Sequence, residues 1–100
     1  MNVLIVYAHP EPQSLNGSLK DFAVQRLEAA GHRVRVSDLY AMQWKAPLDA
    51  GDTLERRPDA PFHPSLDSKH AFENGLQSPD IALEQEKLRW ADAVILQFPL

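Results

Sequence analysis

NVLIVYAHPEPQSLNGS, from Asn2 to Ser18, changes character twice, and both changes carry structural meaning. Val3, Leu4, Ile5, Val6, Tyr7 and Ala8 form an unbroken apolar run rich in β-branched residues, which predicts a strand buried on both faces. The run ends at His9, Pro10, Glu11, Pro12 and Gln13, where two prolines remove backbone donors and fix φ. Ser14, Leu15, Asn16, Gly17 and Ser18 then supply hydroxyl, amide and glycine chemistry at the mouth of an amphipathic helix. A helix N-terminus has free N–H groups and the positive end of the backbone dipole, so it is a natural seat for a phosphate. Ser14 and Asn16 are equally the residue types that simply cap helices, and that reading stands beside the first.

Working outward, Leu15, Leu19, Phe22, Ala23, Leu27 and Ala30 recur at helical spacing, with Lys20, Asp21, Gln25, Arg26 and Glu28 on the other face. Gly31 is placed to stop this helix. From His32 to Leu39, Val34 and Val36 alternate with Arg33 and Arg35, the pattern of an edge strand with one exposed side. From 46 to 77 periodicity is lost. Pro47, Pro58, Pro61 and Pro64 describe a long irregular excursion with one short helix around Ser68 to Glu73, and loops of that length are often functional or interfacial. Order returns with Ser78 as N-cap, Pro79 at the first helical position, Asp80 in the first turn, and Lys87 and Arg89 near the end. Ile81, Leu88 and Ala91 are expected to form its buried stripe, flanked by Leu83 and Trp90. Ala93, Val94, Ile95 and Leu96, followed by Gln97 and Phe98, predict a second buried strand.

Strand, helix, strand, excursion, helix, strand calls for a parallel sheet with right-handed crossovers. Placing the two apolar strands side by side and the alternating strand outside the first gives the order 2-1-3, the opening of an α/β, flavodoxin-like doubly wound sheet. A ligand is then expected where the connection reverses, between His9–Ser18 and Phe98–Leu100.

Composition narrows the classes. The 100 residues are 44% hydrophobic and 24% charged, which indicates one globular domain at most. A net charge of −4 without a basic run excludes a nucleic-acid binder. No cysteine occurs, so disulfides and thiolate chemistry are excluded. The first apolar run is too short to span a membrane and lacks the flanks of a signal peptide, so a cytoplasmic protein without membrane insertion is expected. His32, His63 and His70 lack metal-ligand spacing, and no metal is assigned. Glu84 and Glu86 sit beside Lys87 and Arg89 on a solvated helix face, so no residue is assigned as a catalytic acid or base. Trp44 and Trp90 suit packing or a dimer interface. A phosphoacceptor receiver would need acidic residues where Ala8, His9 and Pro10 stand, and a P-loop hydrolase would need a Gly-Lys-Ser/Thr motif; both are excluded.

AHPEPQSLNGSL after the first strand, SDLYAM after the second, SPDIALEQEKLRWAD in the later helix and QFPL after the third strand resemble the NAD(P)H:quinone oxidoreductase family of DT-diaphorase-like flavoproteins. The resemblance runs over essentially the whole chain in motif order and spacing. It implies a flavodoxin-like homodimer that binds FAD, or FMN in some branches, and takes hydride from NAD(P)H to reduce quinones by two electrons in ping-pong order. By position it makes His9, Ser14, Leu15, Asn16 and Ser18 the flavin phosphate loop, and Phe98, Pro99 and Leu100 the start of the loop against the isoalloxazine. For His9, a loop histidine satisfied by backbone groups is the competing reading. His63 follows Phe62 where eukaryotic relatives have glutamine after an aromatic residue, so no cofactor contact is assigned there. The family's tyrosine and histidine credited with assisting hydride transfer lie beyond QFPL. Residues 1–100 are therefore expected to be the N-terminal part of a single flavodoxin-like domain, inactive alone. The alternative function is a non-catalytic flavin-binding regulatory subunit of a membrane transporter, against which the long excursion counts.

Overall fold

The structure, a computed structural model, describes every residue from Met1 to Leu100. It divides into two compact units, Met1–Trp44 with Glu86–Leu100, and Lys45–Gln85. The first unit holds a three-stranded parallel sheet of β1 (Asn2–Tyr7), β2 (Arg33–Asp38) and β3 (Ala93–Gln97), in the order β2-β1-β3. This is the expected 2-1-3 arrangement, and β2 is an edge as its alternation predicts.

β1 is central and buries both faces. Val3, Leu4, Ile5 and Tyr7 are each at most 3% exposed, and full burial of side chains this size contributes about 1.5–3 kcal/mol apiece. Helix α1 (Leu15–Ala29) covers one face: Ala23, Val24 and Leu27 pack with Val34 and Val36 against Val3, Ile5 and Tyr7. On the other face, Ser37 Oγ meets Lys87 Nζ at 3.0 Å and the Arg35 guanidinium lies 5.5 Å from the Trp90 ring centroid. The end of helix α3 (Pro79–Trp90) therefore lies opposite α1, as double winding requires.

Three packing expectations are corrected. α1 docks through Ala23, Val24 and Leu27, while Leu15, Leu19 and Phe22 are 74%, 48% and 60% exposed. Their spacing marks an apolar stripe, but within residues 1–100 only its far end meets the sheet. β3 is also not buried, with Val94, Ile95 and Leu96 exposed by 45%, 38% and 65%. Its backbone pairs with β1 alone, and its apolar side chains keep much of their surface in solvent. Similarly, α3 contains no fully buried residue, and Leu88 is 53% exposed.

The second unit is more regular than its prolines suggest. A 3-10 turn at Ala50–Asp52 is capped by Asp49, and helix α2 spans Pro64–Asn74. The expected helix around Ser68–Glu73 is real but longer at its N-terminal end. Pro64 occupies the first helical position, where its missing N–H costs nothing. Gly75, with φ 68°, ends the helix in the left-handed region. Leu54 N donates to Leu76 O and Ser78 N to Asp52 O, which staples the start of the unit to its end.

Candidate functional site

The carboxyl ends of β1 and β3 lie together. Tyr7 and Gln97 are register partners, and Ala8 N donates to Gln97 O at 3.0 Å. The chain then turns through a loop that satisfies itself in short steps: Glu11 N donates to His9 Nδ1, Gln13 N to Glu11 Oε1, and Ser14 N to Glu11 O. With Nδ1 accepting, a neutral His9 carries its proton on Nε2, which has no partner within the chain. One nitrogen of the ring is therefore satisfied by backbone, as the loop-histidine reading expects, and the other is available.

Ser14 is the N-cap of α1, and its Oγ accepts from Gly17 N at 3.0 Å. The capping reading is thus correct for Ser14. It leaves the N–H groups of Leu15 and Asn16, the Ser18 hydroxyl and Asn16 Nδ2 without partners in the chain. Asn16 Oδ1 accepts from Gln97 Nε2 at 2.6 Å, across 81 residues of sequence. That bond holds the first turn of α1 against the end of β3, so the two turns expected to share a rim do so. Phe98, Pro99 and Leu100 leave from this rim exposed. Leu15, 74% exposed, offers its backbone N–H and an apolar side chain in solvent.

Three residues missing from the expected set shape the site. Gly17 is buried, and a Cβ there would fall 2.4 Å from the Pro12 carbonyl oxygen and 3.1 Å from Tyr7 Oη. The loop closes onto the helix only because that side chain is absent. A glycine inside a helical pattern was the signal, since it costs stability unless backbone approaches closely. Tyr7 is 2% exposed and its Oη has no hydrogen-bond partner. Gln97 has only the local pattern of a strand residue, and nothing near it in sequence marks Asn16 as its partner.

Beside this loop, toward β2, a cleft of about 290 Å³ is lined by Tyr7, His9, Pro12, Lys20, Asp38 and Tyr40. Lys20 Nζ sits 4.9 Å from the Tyr7 ring centroid and 2.8 Å from Asp21 Oδ1. The hydrogen bond to Asp21 raises its pKa above the ordinary 10.5, so it is a fixed cation. Lys20 is thus engaged by carboxylates in the cleft, and the donors left free lie at the mouth of α1, where a phosphate group fits them: helix-end N–H groups, a hydroxyl and the side-chain N–H groups of Asn16 and His9. The orphaned Tyr7 hydroxyl and the side-chain-free approach at Gly17 belong to the same place. No three His, Asp or Glu side chains gather anywhere as a metal site would require. No helix is long and apolar enough to cross a membrane.

The family described as flavodoxin-like fold matches residues 1–100. Among solved structures, the fold is similar to that of a Klebsiella pneumoniae protein assigned by its description to the quinone reductases, with TM-score 0.92 and 62% identity over all of this chain and 39% of that one. The chain is 50% identical over 104 residues to a ribosyldihydronicotinamide dehydrogenase-like protein of Penicillium crustosum, covering 100% of this chain and 38% of that protein. It is 44% identical over 98 residues to rat NAD(P)H dehydrogenase [quinone] 1, covering 97% and 36% respectively. The chain therefore spans less than two fifths of the length of these relatives.

Proposed function

Because the chain belongs to the flavodoxin-like fold family along its whole length, we propose that it serves flavin-dependent, two-electron reduction of quinones by NAD(P)H. Residues 1–100 act here as the N-terminal part of one flavodoxin-like domain in a cytoplasmic homodimer. The observation that carries this reading is the shared rim: the donor-rich first turn of α1 is bonded to the end of β3 through Asn16 and Gln97. Relatives with dehydrogenase and quinone names over nearly all of this chain support it.

The division of labour follows from the donors. Leu15 N–H, Asn16, Ser18 and His9 Nε2–H would hold the flavin phosphate, with FAD the expected form and FMN the alternative. Phe98, Pro99 and Leu100 begin the wall against the ring. The flavin, when bound, supplies the hydride chemistry, and the protein groups bind and orient it. No side chain of residues 1–100 stands as a proton donor or acceptor for the reaction. The two substrates take turns in ping-pong order, NAD(P)H first and quinone second.

The test is direct. The purified complete protein should be yellow, bleach on addition of NADPH or NADH, and recover colour with menadione. Ribosyldihydronicotinamide is run in parallel because one relative is named for it. A colourless preparation that never bleaches removes the enzyme reading. Bound flavin without turnover, together with co-purification of a membrane transporter, supports the regulatory-subunit alternative. In a second test, Asn16→Ala with Ser18→Ala should weaken flavin retention at least tenfold and leave the circular dichroism spectrum unchanged. Unchanged retention would mean that these residues only shape the helix end.

A further inference from the structure

Gln97 is the last residue of β3, pinned by its backbone carbonyl to Ala8 N, and its register partner is Tyr7, so its side chain lies on the face that α1 covers. There its Nε2 donates to Asn16 Oδ1 at 2.6 Å. A carboxamide has one accepting end and one donating end, and its partners decide which end faces outward. With Oδ1 committed to Gln97, the end of Asn16 left over is Nδ2, which has no partner within the chain. If the pair were inverted, Gln97 would accept and Asn16 would present oxygen, which repels an anion.

From this we infer that Gln97 is a positioning residue: it fixes the carboxamide of Asn16 so that the free end is a donor, and thereby sets the preference of the α1 turn for a phosphorylated over an unphosphorylated flavin. The role rests on the function proposed above and deepens it, because a side chain on a different strand determines what the helix mouth recognises. Two further observations separate it from a simple tether. Backbone bonds from β1 already hold the end of β3, so the amide contact is not needed to place Gln97. The Tyr7 hydroxyl beside the same turn is also left without a partner, as at a site completed from outside the chain. Outer partners that orient a ligand-holding group in this way are well established at metal centres, and the logic is the same.

FMN and riboflavin differ only in the phosphate, so they read the role separately from any general loosening. Apoprotein of the complete chain is titrated with each, following quenching of flavin fluorescence. Wild type should bind FMN at least tenfold more tightly than riboflavin. Gln97→Met should lower that ratio three- to tenfold with riboflavin affinity held within twofold. Asn16→Ala should lower it by as much, and the double variant no further, because both remove the same oriented donor. If Gln97→Met does not fold, Gln97→Glu carries the test: its carboxylate can only accept from Asn16, so the ratio should collapse while the thermal midpoint is kept. Equal losses for FMN and riboflavin, unchanged binding, or full additivity with Asn16→Ala would each overturn the role. Wild-type protein that binds neither flavin would overturn the flavin reading as well. Wild-type binding with unaltered Gln97 variants overturns only the inference about Gln97.

Discussion

At Gly17 the sign of a substitution discriminates between two accounts of the helix mouth. An ordinary glycine inside a helix is replaced by alanine with a gain of about 0.5–1 kcal/mol. Here the new Cβ would stand 2.4 Å from a backbone oxygen, which forces the Pro12 segment outward, and overpacking of this kind costs about 1–3 kcal/mol. Gly17→Ala should therefore lower stability in a urea melt and weaken flavin retention together; a more stable variant would show that the close approach does not constrain the loop. Lys45 provides a second prediction at this scale. Its Nζ lies 2.6 Å from Asp52 Oδ1 and 3.1 Å from Asp49 Oδ1. The hydrogen bond from Lys45 holds the Asp52 carboxyl below its ordinary 3.8, and the same bond raises Lys45 above 10.5. A depressed carboxyl contributes stability above its unfolded value and loses it as pH falls through the folded value. For the raised lysine the contribution is full below 10.5 and is lost as pH rises through the folded value. Lys45→Met should bring the Asp52 titration midpoint, read by carboxyl-carbon NMR, upward toward 3.8, and a midpoint that does not move would show that the lysine is not its cause. Neither Gly17's contact nor Asp52's partner is local in sequence pattern, although a glycine at a helix start gave a hint of the first.

Elements whose signals are local were legible. Ser14, Gly31 and Pro79 mark real helix boundaries because such signals depend on a residue and its nearest neighbours, whereas the Ser78 hydroxyl donates to Asp80 Oδ1. The apolar run of β1 marks a central strand, and the Arg-Val alternation of β2 marks an edge. Pro64 misled for the opposite reason. Proline means termination inside a helix and initiation at its first position, and only the three-dimensional start of α2 distinguishes the two. That start is backed by Asp67, whose Oδ2 accepts from His63 N at 2.9 Å and lies 3.5 Å from Arg56 Nε. At the other end, Gly75 has φ 68° and open space around its missing side chain. Gly75→Ala should thus lose about 1 kcal/mol through backbone strain alone, without a steric term. Equal stability in thermal or urea unfolding would mean that α2 can end without a left-handed residue. The site was half legible for the same reason as the elements. The hydroxyls and amides of the β1–α1 turn announce a helix mouth, whereas the Asn16–Gln97 bond joins residues 81 apart and only the sheet order brings them together.

The three-stranded sheet is asymmetric at its two edges, and that asymmetry makes the last prediction. The β2 edge carries Arg33 and Arg35, whose charges disfavour pairing with another strand. The β3 edge carries Val94, Ile95 and Leu96, all substantially exposed, and it has no second neighbour in the chain. Leu15, Leu19 and Phe22 of α1 are exposed as well. A free strand edge backed by apolar side chains is the template that edge-to-edge association uses, and single charges are the usual protection against it. A polypeptide of residues 1–100 should therefore self-associate, detectable by sedimentation velocity across roughly the micromolar range in which exposed edges aggregate. Leu96→Lys should shift it toward monomer, because the charge sits on the free edge and leaves the β1 pairing untouched. Adding a comparable charge at β2 through Val34→Lys is the control. It disturbs the core side of an already protected edge, so it should lower stability without reducing association. Wild-type residues 1–100 that stay monomeric at high concentration would show that the apolar β3 edge is shielded by something other than charge.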